Sequence, residues 1–309
     1  MNRTHRRPLR RLPAKLVWLA LLLIGVLAFW TLGGGERSEA DAGPSLIERA
    51  QGAFSLEPRD TQAATLVDFP YAIMALPVAE VTDTQYLKLV NREHALQNAL
   101  GEADLVNVWP DLPARTSYVT LRETAQRAMV ELFAAAGRAD VRGLFIASGF
   151  RSFEEQRELY QNAADRSYIL PPGHSEHQLG LAADILASDH TDGMANTPEA
   201  RWLAQNAPQF GLILRYPYEK QEVTGVAYEP WHFRYVGRVH AWIMGRYDFV
   251  LEEYIAFLQE QALYQTSFDG RTYYILYQRP QNGMISVPEE LEFNVSTANT
   301  GGFIVTAWR

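Results

Sequence analysis

An uninterrupted apolar run near the N-terminus is the feature that most limits how this chain can be arranged. Residues 16–32 read LVWLALLLIGVLAFWTL, and this run has no polar face of the kind that an amphipathic helix presents to water. Every charged residue before Glu36 is basic, and these six are Arg3, Arg6, Arg7, Arg10, Arg11 and Lys15. A basic flank followed by an apolar run is typical of an export signal whose basic side stays in the cytoplasm. We therefore expect residues 1–35 to comprise a cytoplasmic segment and a transmembrane signal anchor, with the remaining chain outside the cytoplasm.

Two alternatives to an uncleaved anchor remain at this point. The run is slightly shorter than the about 20 residues that usually cross a bilayer, so it could also be a cleaved signal that releases a secreted protein. The small residues Ser38 and Ala40 could form a cleavage site, although the charged residues Glu36, Arg37 and Glu39 are unfavourable next to one. A buried core helix is the other alternative. We favour the single-pass anchor.

The composition excludes several classes of partner and site. The net charge is −8, and the part of the chain beyond the basic N-terminus is more acidic still. This balance argues against a nucleic-acid partner, which needs a basic face. The chain has no cysteine, so disulfides and thiolate metal sites are excluded, and a metal ion would need histidine and carboxylate ligands.

Local patterns predict an α+β protein. Residues 36–65 are rich in small and polar residues and read as a linker. Over residues 66–264, capped amphipathic helices alternate with short apolar runs that are typical of strands. We expect Thr120 to cap a helix that Gly137 ends and Ser152 to cap a helix over about 153–164. Thr197-Pro198-Glu199 should start another helix with Pro198 at its first position, and residues from Arg238 to about 263 should again be helical. Residues 265–309 contain strand-like runs between turn dipeptides such as Asp269-Gly270, which predicts a small β-rich C-terminal region.

One set of polar residues carries the chemistry. GHSEHQLGLAAD places His177 and Asp184 among small residues, and EPWH places Glu229 three residues before His232. A hydrolytic zinc site needs three protein ligands, an open position for water, and a nearby carboxylate that is not a ligand. Arg151, at a junction between a predicted strand and a predicted helix, is available to stabilise a developing oxyanion. Together these residues predict metal-assisted hydrolysis of an amide.

The other histidines have less support as ligands. His174 lies close to His177 and could be mistaken for the first ligand, and His190 follows in a loop that could line the cleft. We interpret His94 and His240 as surface or packing residues.

These motifs resemble a known family. SEHQLGLAAD matches S-x-H-x-x-G-x-A-x-D and EPWH matches E-x-W-H, the paired signatures of the VanY-type zinc D-alanyl-D-alanine carboxypeptidases. Further segments agree in order, among them DLVNV, SGFRSFEEQRELY and LILRYP, so the resemblance covers residues 86–254. It implies a central antiparallel sheet with flanking helices, as in Hedgehog and DD-peptidase domains, with the C-terminal β-rich region as an appendage.

The resemblance also implies roles for individual residues. His177, Asp184 and His232 would bind one Zn²⁺, and Glu229 would activate a zinc-bound water as general base and then act as general acid. Arg151 would stabilise the transition state, while Gln156 and Ser175 would hold the terminal carboxylate of the substrate. Glu176 and Gln178 occupy variable positions of the motif and receive no role.

The expected function is removal of the C-terminal D-alanine from peptidoglycan stem peptides. Relatives with the same motif include L,D-carboxypeptidases that act on tetrapeptide stems, so this specificity remains an alternative. A wall-binding module that keeps zinc only for structure is an alternative of another class. Its mark would be loss of Glu229 or a fourth protein ligand, and the sequence contains neither sign.

Overall fold

The computed structural model describes residues 69–97, 104–188 and 193–309. The predicted anchor and linker, residues 1–65, lie outside the described residues, as does His190. Within the described ranges no helix is both long enough and apolar enough to span a bilayer.

Helices and strands alternate through the first part of the described chain, and strands alone follow. The strands are β1 (Ile73–Pro77), β2 (Leu105–Asn107), β3 (Thr120–Arg122), β4 (Leu144–Ser148), β5 (Ala182–Ala187), β6 (Leu212–Leu214), β7 (His232–Tyr235), β8 (Leu263–Phe268), β9 (Arg271–Gln278), β10 (Met284–Pro288), β11 (Glu292–Thr297) and β12 (Phe303–Trp308). The α-helices are α1 (Glu123–Arg138), α2 (Phe153–Asn162), α3 (Pro198–Asn206), α4 (Gln221–Thr224), α5 (Arg238–Tyr247) and α6 (Leu251–Gln261). Short 3-10 helices cover Val78–Glu80, Glu176–Leu179, Ala207–Phe210 and Tyr218–Lys220. The predicted mixture of helices and antiparallel strands is confirmed.

Two of the predicted helix starts are confirmed by their capping contacts. The Ser152 hydroxyl accepts a hydrogen bond from the backbone N–H of Glu155, whose carboxylate accepts one from the N–H of Ser152. This reciprocal pair satisfies two N–H groups that the first turn of α2 leaves free. Thr197 caps α3 in the same position, with Pro198 as the first helical residue.

The start of α1 and the continuity of the last helix differ from the prediction. Thr120 is not a helix cap, because Thr120–Arg122 pairs as strand β3 with β2 and the helix begins only at Glu123. The helix also continues through Gly137 to Arg138. The predicted helix from Arg238 is interrupted because Asp248 adopts a left-handed conformation, with φ of 54°, between α5 and α6.

A four-stranded antiparallel sheet carries the motif residues. Its strands lie in the order β4-β5-β7-β6, and its core side meets α1. Among the side chains with almost no exposure in this core are Met129, Leu132, Ile146, Ile185 and Phe233. Because successive side chains on a strand alternate between faces, burial on one face leaves the other available for polar groups.

The C-terminal strands form a second four-stranded sheet in the order β11-β12-β9-β8, and β10 pairs with β1. This sheet packs against α5 and α6 through a shared core that includes Ile243, Tyr254, Ile275 and Ile304. His240 lies inside it, where its two ring nitrogens contact the hydroxyls of Tyr254 at 2.8 Å and Thr306 at 3.0 Å. His240 is therefore a packing residue, as the sequence suggested.

Gly180 is the turn residue between the two parts of the first motif. Its φ is 64°, and a Cβ there would lie 2.9 Å from Leu105 Cδ2 and 3.0 Å from Arg122 Cγ. Its carbonyl also accepts a 2.8 Å hydrogen bond from the N–H of Arg122. Only glycine adopts this conformation without strain.

We expect Gly180→Ala to lower the free energy of unfolding by about 1–2 kcal/mol or more, because a left-handed alanine is strained by that amount before the steric contacts are counted. The matched control is Gly137→Ala in α1, where nothing lies within 4 Å of the added carbon. That variant should be stabilised by roughly 0.5–1 kcal/mol. Chemical denaturation measures both, and equal effects of the two substitutions would contradict the assignment.

Candidate metal centre and active site

The three predicted metal ligands come together beside strands β5 and β7 of the β4-β5-β7-β6 sheet. Asp184 in β5 is the direct antiparallel partner of His232 in β7, so the two side chains emerge side by side on the same face. His177 lies in the 3-10 helix Glu176–Leu179, and the left-handed Gly180 turns the chain from that helix into β5.

The distances between the ligand atoms fit a tetrahedral metal ion. His177 Nε2 lies 3.4 Å from Asp184 Oδ1, and His232 Nδ1 lies 3.2 Å from the same oxygen. One ligand atom from each residue falls within 4.8 Å of the others. Bonds of about 2.0 Å to a tetrahedral zinc ion place ligand atoms roughly 3.3 Å apart. The two distances to Asp184 Oδ1 match this value, so these residues suit zinc.

The nitrogen of His177 that faces away from Asp184 is fixed by the backbone. Its Nδ1 donates a 2.7 Å hydrogen bond to the carbonyl of Gly149, which leaves Nε2 as the lone-pair nitrogen toward the ligand cluster. Burial and the nearby positive charge of Arg151 lower the pKa of His177 to about 4. His177 is therefore neutral near pH 7, as a metal ligand must be.

His232 has a different electrostatic setting. Burial alone would lower its pKa, but contacts with Asp184 and Glu176 outweigh burial and raise the pKa to about 9. A metal ion that binds Nδ1 must therefore displace a proton. The pKa of Asp184 is held well below its usual range: burial opposes this, but His177 and His232 together prevail.

A tight turn places Glu229 next to His232. The N–H of His232 donates to the carbonyl of Glu229 at 3.1 Å, and Pro230 occupies the second position of this turn, where its fixed φ is favourable. Glu229 Oε2 consequently lies 3.6 Å from His232 Nδ1, the nitrogen that faces the cluster. Burial raises the pKa of Glu229 to about 8, with His232 opposing the shift and Asp184 adding to it. A carboxylate with such a pKa can both accept and return a proton near neutral pH.

Arg151 is held at the junction between β4 and α2. The backbone N–H of Arg151 donates to the backbone carbonyl of His177 at 3.2 Å. The guanidinium Nη1 donates to Gln156 Oε1 at 3.0 Å. Gln156 is 1% exposed and donates its own Nε2 to the carbonyl of Leu170 at 2.6 Å. Both ends of the Gln156 amide are thus engaged, and one of them holds Arg151. The guanidinium Nε of Arg151 is buried and has no hydrogen-bond partner among the described residues.

The remaining residues considered from the sequence are Ser175 and the histidines His174 and His94. Ser175 is buried immediately before the 3-10 helix that carries His177. His174 is directed elsewhere, with its Nδ1 2.7 Å from the carbonyl of Asn91, and it is not in the ligand group. His94 contacts the Asn91 side chain at 3.0 Å. These contacts agree with the expectation that His174 and His94 have less support as metal ligands.

Sequence reasoning missed Glu176, which has a prominent place in the structure. It is 1% exposed, and its Oε1 accepts hydrogen bonds from Arg215 Nε at 2.8 Å and Arg234 Nη1 at 2.9 Å. Burial would raise the pKa of Glu176, but these two arginines reverse the effect and hold it well below its usual value. The available signal was the pair of arginines inside the apolar strand-like segments LILRYP and HFRYV, because a buried arginine requires a buried acid.

The chain is similar to known peptidases. Residues 118–238 match the VanY family model, described as D-alanyl-D-alanine carboxypeptidase. A D-alanyl-D-alanine carboxypeptidase of Enterococcus faecium is 38% identical over 230 residues, which cover 72% of this chain and 75% of the relative. The bifunctional D-Ala-D-Ala dipeptidase and D-Ala-D-Ala carboxypeptidase VanXYC of Enterococcus gallinarum is 34% identical over 188 residues, covering 56% of this chain and 95% of the relative.

Solved structures give the same relationship. The vancomycin resistance D,D-dipeptidase VanXYg, determined in complex with a D-Ala-D-Ala phosphinate analogue, superposes with a TM-score of 0.67 at 28% identity and covers 77% of this chain and 99% of its own. The LD-carboxypeptidase LdcB superposes with a TM-score of 0.51 at 30% identity, covering 57% of this chain and 97% of its own. The chain therefore belongs to the VanY family of D-alanyl-D-alanine carboxypeptidases and is a zinc metallopeptidase.

Proposed function

We propose that this enzyme removes the C-terminal D-alanine from peptidoglycan stem peptides. The observation that carries the proposal is the arrangement of His177, Asp184 and His232 around one point, with the non-ligand carboxylate of Glu229 next to them. The likeness to the carboxypeptidase of Enterococcus faecium supports the choice of substrate class.

The ligand set suits one zinc ion in a hydrolytic role. Two neutral imidazoles and one carboxylate would leave the ion with a single net positive charge. Zinc, when bound there, supplies a Lewis acid that polarises a carbonyl and makes water more acidic. Within the described residues the group contains three protein ligands, which is the number typical of a catalytic rather than a structural site.

Glu229 is proposed to move the proton. Its carboxylate takes a proton from the attacking water, whose oxygen forms the new bond to the carbonyl carbon. When the C–N bond breaks, the same group returns the proton to the departing amine of D-alanine. The fixed turn from Glu229 to His232 keeps the carboxylate beside the proposed ligands during both steps.

Arg151 is proposed to stabilise the negative charge that develops on the carbonyl oxygen. Burial lowers its pKa, while Asp184 and Glu229 raise it, and a guanidinium remains charged throughout the range in which enzymes work. Gln156 supports this role by holding Nη1 in place. Ser175 remains a candidate for contact with the terminal carboxylate of the substrate.

We also propose that the enzyme is a single-pass membrane protein with its catalytic domain outside the cytoplasm. The support is the basic cluster followed by the apolar run of residues 16–32. Such an anchor would keep the site within reach of peptidoglycan precursors and of the nearby wall.

Defined stem peptides test the substrate assignment. The purified, zinc-loaded protein should release one D-alanine from a pentapeptide that ends in D-Ala-D-Ala and should act more slowly on the corresponding tetrapeptide. Mass spectrometry of the products measures both rates. An intact pentapeptide together with conversion of tetrapeptide to tripeptide would establish the L,D-specificity favoured by the likeness to LdcB. Wall binding without hydrolysis of either peptide would instead indicate a non-catalytic module.

Glu229→Gln and His177→Ala should separate proton transfer from metal binding. Glu229→Gln removes the base but none of the proposed ligands, so kcat should fall at least about 10²-fold with zinc content unchanged. His177→Ala should lose zinc and activity together. Metal analysis after dialysis, combined with turnover of the pentapeptide, distinguishes them. Full activity in Glu229→Gln, or unchanged zinc in His177→Ala, would overturn the corresponding assignment.

Arg151→Ala should lower kcat by about 10²–10³-fold while zinc remains bound, as expected for loss of a group that stabilises the oxyanion. Arg157→Ala is the matched control, because Arg157 lies in the neighbouring helix α2, pairs with Glu154 and is 54% exposed. Arg157→Ala changes the net charge by the same amount as Arg151→Ala, but the residue that it removes is not part of the ligand cluster. Steady-state kinetics on the pentapeptide measure both variants, and similar kcat values for the two would argue against the role of Arg151.

A further inference from the structure

We propose that Glu176 is a positioning residue for the metal ligand His232. The proposal extends the function proposed above, because it depends on His232 binding the metal ion. It concerns the ring nitrogen of His232 that faces away from the other ligands.

Glu176 and His232 face each other inside the protein. Glu176 Oε2 lies 3.4 Å from His232 Nε2, and their side chains are 0% and 4% exposed. Neither atom has a hydrogen-bond partner among the described residues. The opposite nitrogen, Nδ1, is the one that lies 3.2 Å from Asp184 Oδ1. The ring is thus bracketed by one carboxylate at each nitrogen.

The carboxylate of Glu176 cannot turn away from His232. Its Oε1 is fixed by the two hydrogen bonds from Arg215 and Arg234, which directs Oε2 at the imidazole. Arg215 is itself held by Glu252, with two contacts of 2.7 and 2.9 Å. Arg234 donates its Nη2 to the carbonyls of Gln85, Tyr86 and Lys88.

The stability of the fold does not account for this cluster. Arg215 and Arg234 are both 0% exposed, and removing charged groups from water costs several kcal/mol per ion before their attraction is counted. Well-packed apolar residues of similar size are often as stable or more stable at such positions. A gain in orientation does explain the arrangement, because a carboxylate behind a ligating histidine fixes the tautomer and the ring plane.

The consequence for His232 follows from the contacts. The proposal places the ring proton on Nε2, which faces Glu176 Oε2 at 3.4 Å, so that Nδ1 carries the lone pair that the metal needs. His177 has the mirror arrangement, since its Nδ1 donates to the Gly149 carbonyl and its Nε2 is the free nitrogen. Glu176 therefore does for His232 what the Gly149 carbonyl does for His177.

Two variants of the full chain separate positioning from loss of a buried charge. Glu176→Gln and Glu252→Gln each remove one carboxylate charge beside Arg215, but only Glu176 contacts His232. Zinc affinity is measured by competition with a chromophoric chelator, and thermal unfolding of the zinc-free proteins is measured in parallel. We expect Glu176→Gln to weaken zinc binding about 10–100-fold. Glu252→Gln keeps a side-chain oxygen to which Arg215 can donate and leaves Glu176 in contact with His232, so its zinc affinity should change much less than that of Glu176→Gln. Both variants should be destabilised.

Equal zinc affinities for the two variants, or a Glu176→Gln affinity equal to wild type, would overturn the positioning role. Failure of the wild-type chain to bind zinc would instead count against the proposed function. A cobalt-substituted sample adds a second readout, because the visible absorption of Co²⁺ should change in Glu176→Gln and remain unchanged in Glu252→Gln if ligand geometry is affected only by the former.

A measurement on the wild-type chain covers the case in which Glu176→Gln does not fold. In the zinc-loaded protein labelled with ¹⁵N at histidine, NMR should find His232 protonated at Nε2 and metal-bound at Nδ1. Protonation at Nδ1, or an Nε2 proton that exchanges with solvent as freely as that of an exposed histidine, would contradict the proposal.

Discussion

The pairing of β5 with β7 is the constraint on which the site depends. Asp184 and His232 are opposite each other in this antiparallel ladder, and side chains on a strand alternate between the two faces. A slip of one residue in this pairing would therefore send one of the two ligands into the apolar core beside Ile185 and Phe233. The apolar face that packs on α1 consequently fixes the polar face that holds the ligands.

Much of the site could be predicted from sequence because its residues lie in two short, characteristic segments. The turn at Gly180 and the turn from Glu229 to His232 are local, so the motifs that encode them determine their geometry almost alone. The capping residues Ser152 and Thr197 are local in the same sense. Their hydrogen bonds join residues only three positions apart, so these bonds form without help from tertiary contacts.

What the sequence analysis missed at Thr120 and Glu176 depends on contacts between distant parts of the chain. Threonine is a residue type that often caps helices, but Thr120 pairs with Asn107 as part of a strand. Helix propensity does not report such pairing. Glu176 occupies a position that short motifs leave variable, and its partners Arg215 and Arg234 are 39 and 58 residues away. The sequence contained a clue in the two arginines within apolar segments, but it could not say which acid each one meets.

The turn that joins Glu229 to His232 separates the tasks of the enzyme along the chain. The proposed base and one metal ligand are confined to four consecutive residues, so any movement of that turn carries both groups together. The groups proposed to act on the substrate come from other elements, with Arg151 before α2, where Gln156 holds it, and Ser175 before the 3-10 helix. Substitutions in α2 would therefore act on Arg151 and its support, whereas substitutions in the turn would act on the proposed base and one metal ligand together.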